Sequence, residues 1–307
     1  MNLLNIVSLQ KIIQAILGFF TVIFVSYQLN DLEQAAFFSF NSFYSAYSML
    51  DLGLSILLVQ ICSYWFSKEK NKSKLSFYFI SFIEKSKRWY LFIGIICFFF
   101  FPIGFFYFNS KGSFNEIAWI NPWVLCIFSM SFFVTSLPYL AILEGMNKIK
   151  EVYSIKILYY STGTIISWLV IFSSNPLFAV SMVPLSAGII IYSYVFIKYH
   201  KLFYSFNKMY IGNEFLWKKI IFPIQKKVIV TYVSNYIILF VPTLIFLHYG
   251  EVQLSAKSGI TLIVLNMINV IASSNLIAKT PDITKNFSLS KAQKAKNQFI
   301  KELKKTI

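Results

Sequence analysis

The sequence predicts an all-α integral membrane protein with about eight transmembrane helices, and three observations lead there. Mean hydropathy is +0.64, with 57% hydrophobic and only 13% charged residues over 307 positions, a balance foreign to soluble domains. Apolar runs of about 20 residues, enough to cross a bilayer core of ~30 Å, recur along the whole chain. Lysines gather between alternate runs, the pattern of a cytoplasmic face.

The runs fall at 10–28, 35–63, 89–108, 123–143, 155–172, 177–196, 228–248 and 258–278. Each reads as a helix, because lipid offers no partner for backbone polar groups and only helices or closed barrels satisfy their own. A barrel would alternate over strands of ~10 residues, whereas these runs are continuous. The opening MNLLNIVSLQKIIQAILGFF has no positive region before its apolar stretch and no small-residue cleavage site. It reads as a retained first helix and not as a signal peptide.

Placing the N-terminus inside leaves only Lys111 and Lys257 in outer segments; every other basic residue is then cytoplasmic. Both termini are expected in the cytoplasm, with the chain multi-pass in the cytoplasmic membrane. The net charge of +16 is read as topology, so no nucleic-acid partner is expected. Trp65, Trp89 and Trp217 are expected at the inner interface and Trp119 and Trp123 at the outer one.

Four regions follow. Residues 1–200 form a six-helix bundle, and 201–227 a cytoplasmic linker with an interfacial helix. Residues 228–279 form a hairpin of an incomplete second bundle, and 280–307 a basic amphipathic tail with Phe299, Leu303 and Ile307 on one face. The stretch 74–87 also mixes bulky apolar residues with lysines and reads as an interfacial helix. The turns LNDLEQ and YGEVQ echo each other, each carrying an acid and a glutamine.

Few side chains offer chemistry. Asn235, Asn266 and Asn269, with Ser273, Ser274 and Asn275, put polar groups at membrane depth, where they bond neighbouring helices or line a transport path. Asp51, in MLDLGLS, is the one acid well inside an expected span; it either caps a break at Gly53 or serves a cavity or coupling ion. Lys11 is a snorkelling anchor or a cavity cation facing an anionic substrate, and Lys257 is solvated or meets a translocated phosphate. Glu144 is expected to pair with Lys148 at i, i+4. Cys62, Cys97 and Cys126 have no metal-site or disulfide spacing. No hydrolase, kinase or nucleotide-binding motif is present, so neither catalysis nor a cofactor is expected.

Three stretches carry a resemblance. VSYQLNDLEQAAFFSFNSFYSAYSMLDLGLSILLVQ resembles the first hairpin of bacterial polysaccharide (O-antigen type) flippases, YLAILEGMNKIKEVYSIKI their junction between helices four and five, and TYVSNYIILFVPTLIFLHYGEVQLSAKSGITL through AKTPDI their helices seven and eight. Their order along the chain is also similar to that family, which belongs to the multidrug/oligosaccharidyl-lipid/polysaccharide exporter superfamily. The resemblance implies a MATE-like fold of two six-helix bundles around a cavity worked by alternating access. The implied cargo is an undecaprenyl-pyrophosphate-linked oligosaccharide for surface polysaccharide (O-antigen or capsule), so membrane lipid, lipid-linked oligosaccharide and polysaccharide assembly proteins are the implied partners. The chain departs from the family by stopping at Ile307, where a ninth helix would begin, and by spans nearly free of basic residues. A truncated form, or a second chain supplying the missing helices, is the expectation that follows. A small-molecule exporter of the same superfamily and a membrane polymerase or glycosyltransferase are the alternatives; the latter would need large outer loops with clustered Arg, His or acids.

Overall fold

Backbone groups in an apolar chain must bond within their own segment, and every regular element found is a helix. The computed structural model describes residues 3–69, 77–208 and 221–288, together with 217, 293 and 296–301. In order, the helices are α1 Leu3–Gln28, α2 Asp31–Asp51, α3 Leu54–Glu69, α4 Phe77–Cys97, α5 Phe100–Asn109, α6 Ile120–Gly145, α7 Ile149–Ile171, α8 Ala179–Tyr194, α9 His200–Lys208, α10 Phe222–His248 and α11 Val252–Ser288. Among the described residues, six stretches are long and apolar enough to cross a membrane: Ile6–Gln28, Phe79–Asn109, Ile120–Gly145, Ile149–Ile171, Pro176–Phe206 and Phe222–His248. The α2–α3 pair, bent by 42°, makes a seventh if it is one span. The eighth expected run lies within α11, which is not among those stretches; Ser273, Ser274 and Asn275 on it have side chains outside the described residues.

The α1–α2 turn is built by Asn30. Its Oδ1 accepts from the Glu33 N–H at 2.9 Å, while Glu33 accepts from the Asn30 N–H at 3.1 Å, a reciprocal cap on the start of α2. Gln34 donates back to the Leu29 carbonyl at 2.8 Å and so closes the end of α1. The other end of α2 stops where Leu52 (φ 51°) and Gly53 (φ 70°) turn left-handed. A Cβ on Gly53 would stand 2.6 Å from Val228 Cγ1, so α10 closes over this corner.

Two apolar centres hold the helices. One, toward the Asp51 end, packs Leu54, Leu58, Phe79, Ile83, Tyr90, Met130 and Tyr153. The other, toward the Asn30 end, is aromatic: Phe40, Phe43 and Phe108 surround Trp123 at ring separations of 5.1–5.3 Å. Gly104 makes room for that indole, since a Cβ there would lie 2.1 Å from Trp123 Cζ2. Prolines sit inside three helices, Pro138 in α6, Pro184 in α8 and Pro242 in α10.

The hairpin α10–α11 lies across the first hairpin in a reciprocal way. The first helix of one packs on the second helix of the other: α1 on α11, and α10 on α2. α7 flanks α1, and α8 lies between α6 and α7.

Several expectations are corrected. The stretch 77–87 is no separate surface helix: it opens α4, and Phe79, Ile80, Phe82 and Ile83 are buried in the core. The apolar residues that suggested an interfacial face there meet protein instead; residues 74–76 lie outside the described residues. Trp119 and Trp123 are buried and form no belt, because the ring of phenylalanines around them offers better packing than an interface. The linker at 201–227 is divided: α9 continues α8 through a π-helical turn at Val195–Tyr199, and α10 begins at Phe222. Of the linker between them, only Trp217 and Ile221 are described, and Trp217 packs on Trp89 at 6.0 Å. α11 runs beyond position 279 to Ser288; Phe299 is exposed, whereas Leu303 and Ile307 lie outside the described residues.

Candidate functional site

The crossing of the two hairpins leaves a cavity of about 450 Å³ walled by α1, α2, α7, α8, α10 and α11. On α2 it is lined by Asn41, Ser45 and Ser48, which recur at i, i+4 and i+7 and therefore share one helix face. The hydroxyls there bond back to their own helix, Ser45 to the Asn41 carbonyl at 2.8 Å and Ser48 to the Ser45 carbonyl at 2.7 Å, which lets them stand in an apolar span. α10 and α11 contribute Asn235, Thr243 and Asn266. Ser255 donates to the Thr243 carbonyl at 2.9 Å and ties those two helices.

A side-chain relay enters the cavity from α1. Gln10 donates from Nε2 to Gln14 Oε1 at 3.1 Å, and Gln14 donates from Nε2 to the Tyr160 hydroxyl at 2.9 Å. Tyr44, Tyr47 and Tyr160 line the cavity beside Asn41 and Gln14. Their rings join a tyrosine and phenylalanine stack: Tyr44–Tyr47 at 5.3 Å, Tyr47–Phe133 at 5.5 Å and Tyr159–Tyr160 at 4.8 Å. Trp168 stands behind the wall, donating to Thr21 Oγ1 at 2.9 Å.

Toward the Asn30 end the second hairpin is tied to the first and to α5 with the turn that follows it. Gln253 donates to Asp31 Oδ2 at 3.0 Å, the Tyr107 hydroxyl donates to the Leu244 carbonyl, and Lys111 donates to the carbonyl of His248. Lys111 thereby places a cation at the C-terminus of α10, where the helix dipole favours one. Just below, Gly259 lies against Phe38, with an added Cβ only 2.4 Å from Phe38 Cβ.

Of the residues singled out by sequence, Asn235 and Asn266 line the cavity. Asn269, one turn further along α11, is not among the lining residues, and neither are Lys11, Asp51 and Lys257. Asp51 is 5% exposed and caps α3: its carboxylate accepts from the Ser55 N–H at 3.3 Å, from Ser55 Oγ at 2.7 Å and from the Tyr90 hydroxyl. Of the two roles open to it, the geometry is that of the cap. Lys257 is exposed on the first turns of α11. Lys11 lies one turn from Gln14 and within electrostatic reach of Lys156 and Glu144.

Glu144 does not pair with Lys148. It accepts from Lys156 Nζ at 3.2 Å and from the Tyr153 hydroxyl at 3.3 Å, because the tight α6–α7 turn brings the first turns of α7 back over the end of α6. Lys148 stands 3.9 Å from Glu151 instead. Glu151 also accepts from Tyr194 and Tyr199, both at 2.6 Å, and from Lys198 at 2.9 Å; the π-helical turn brings those three donors to one carboxylate.

Sequence reasoning missed Gln14, Asn41, Ser45, Ser48 and Tyr160. The first four carry a signal, being polar residues at helical spacing inside apolar runs; Tyr160 carries none. Among the described residues no three of His, Cys, Asp or Glu converge as metal ligands. No family model, no curated protein and no solved structure matches the chain.

Proposed function

We propose that the chain is a flippase-type transporter that carries a lipid-linked oligosaccharide across the cytoplasmic membrane, in an undecaprenyl-pyrophosphate form used for surface polysaccharide. The observation that carries this reading is a cavity at the crossing of two hairpins whose largely apolar wall carries amides and hydroxyls, in a chain with membrane-spanning helices. Polar groups at membrane depth are costly to lipid unless they face protein or a polar cargo, and Asn41, Asn235 and Asn266 meet at one such space. Its volume falls in the ~300–1,000 Å³ range of ligand pockets. A sugar cannot cross hydrocarbon unaided, whereas hydroxyls and amides inside the bundle replace its water.

On this reading, which the lysine distribution supports, the Asn30 end faces outward and both termini lie in the cytoplasm. The ties among Asp31, Gln253, Lys111 and His248 then lie on the outer side of the bundle. Lys11, one turn beyond Gln14 toward the cytoplasmic side, stands where a pyrophosphate would follow its sugar.

The test is complementation of a strain lacking its own flippase, scored by surface glycan. Wild type is expected to restore export, and Asn41→Leu and Asn266→Leu to abolish it at equal membrane abundance. Efflux of small drugs with no restored glycan would favour an exporter of another cargo.

A further inference from the structure

We propose that the basic segment 291–307 is a docking arm for the anionic phospholipid headgroups of the cytoplasmic leaflet. Asn286, near the end of α11, donates from Nδ2 to Gln298 Oε1 at 2.9 Å. Those residues are twelve positions apart, which in one straight helix would separate them by about 18 Å. The bond therefore sets the helical residues 296–301 beside the end of α11 and not beyond it. Gln298 turns its own side of the arm toward α11. Ile300, two positions on, lies about 200° further round the helix and so faces away. It is 40% exposed, its neighbour Phe299 is 43% exposed, and neither belongs to an apolar centre of the bundle.

The sequence extends the same two sides. At helical spacing, Ala292, Phe299, Leu303 and Ile307 fall on the side of Ile300, whereas Lys291, Lys294, Lys301 and Lys305 fall opposite. Residues 291–307 hold six lysines against one acid, Glu302. Lys296 is the basic residue on the apolar side, where its alkyl stem can lie along the surface while the ammonium reaches water. A helix with an apolar face and a lysine-rich polar face settles at the boundary of headgroups and acyl chains. Phosphate groups of an anionic leaflet supply the counter-charge that an apolar protein surface lacks. That leaflet is within reach: the eighth apolar run ends at 278 and α11 at Ser288, about 15 Å further on. The lysine distribution puts this end of the chain on the cytoplasmic side.

The full chain in lipid nanodiscs, open to reagents on both faces, provides the test. Phe299→Cys and, separately, Asn297→Cys carry a bimane label; Cys62, Cys97 and Cys126 are buried, and labelled wild type gives the background. Positions 297 and 299 are about 200° apart on a helix, so the two labels report opposite sides of the arm. Acrylamide, an uncharged aqueous quencher, reads their exposure without bias from the lipid charge. In phosphatidylcholine alone both labels are expected to be quenched alike. With about one-third phosphatidylglycerol, the label at 299 is expected to lose about threefold in quenching constant while the label at 297 keeps its value. Salt at about 1 M, where the Debye length is about 3 Å, should return 299 to its first value. Lys301→Gln in the Phe299→Cys chain should weaken docking about fivefold. Equal shielding at 299 in both lipids would place that face on the bundle and overturn the inference. Strong quenching at 299 in both lipids would leave the arm in water and overturn it too, as would an equal loss at 297 and 299. The readout involves no transport, so it stands apart from the cargo of the cavity.

Discussion

Gln253 donates from Nε2 to Asp31 Oδ2 at 3.0 Å, so the turn of one hairpin is hydrogen-bonded to the turn of the other. The two turns that echo each other in sequence meet in space. The bond is exposed and contributes on the order of 1 kcal/mol, so Asp31→Ala alone is expected to leave folding intact. Cysteines at 31 and 253 joined by a short bifunctional maleimide are expected to form one intramolecular cross-link and to stop glycan export, while the unlinked pair stays active. An unchanged export rate after complete cross-linking would show that this end never has to part.

Gly259 and Phe38 define the seam beneath that bond. Gly259→Ala is expected to lower stability by about 1–3 kcal/mol through overpacking. Phe38→Ala in the same chain should recover part of that loss, since the ring is what the new methyl strikes. Thermal unfolding in detergent checks both, and simple additivity of the two losses would contradict the contact.

Asp51 acts through three donated hydrogen bonds from Ser55 and Tyr90 and lies outside the cavity lining. Asp51→Asn keeps an acceptor oxygen and is expected to leave export near wild type. Asp51→Ala leaves buried donors unpaired and should cost about 1–3 kcal/mol. Export lost in the Asn variant at full abundance would return Asp51 to the transport path.

Glu144 neutralises Lys156 in a setting where neither side chain is fully exposed. Glu144→Gln should destabilise by about 1–3 kcal/mol, less than the ~3–5 kcal/mol of a fully buried pair because part of Lys156 still reaches solvent. Glu144→Gln with Lys156→Met is expected to be more stable than the single variant. A double variant that is less stable than either single one would refute the pairing.

Orientation has its own measurement. Ser110→Cys, beside Lys111, should label with an impermeant maleimide in intact cells, and Lys150→Cys should label only after lysis. The opposite pattern would reverse the assignment of the two faces.

Positions of the helices were legible in the sequence because span length and apolarity are properties of each run alone. Burial was not. The lysines around 74–87 masked the fact that Phe79, Ile80 and Ile83 meet α3 and α6, and Trp123 reads like an interface anchor until Gly104 and Phe40 close around it. Site residues followed the same division. Asn235 and Asn266 stood out as polar groups in apolar runs, and a stripe of Asn41, Ser45 and Ser48 was readable at the same spacing. Tyr160 could not be found, since only the fold brings Gln14 to its hydroxyl. Charge partners depend on the same long-range geometry, as the exchange of Lys148 for Lys156 at Glu144 makes plain.

Pro138, Pro184 and Pro242 each remove one rung from the hydrogen-bond ladder of a different helix. A bundle of unbroken rods can only tilt as whole bodies, but these three can flex in halves about soft joints. Pro184 and Thr243, beside Pro242, both line the cavity. A transporter of the proposed kind could therefore widen this space toward the Asn30 end while the opposite ends of α8 and α10 keep their packing, so that a cargo broader than the resting volume would unseat neither helix.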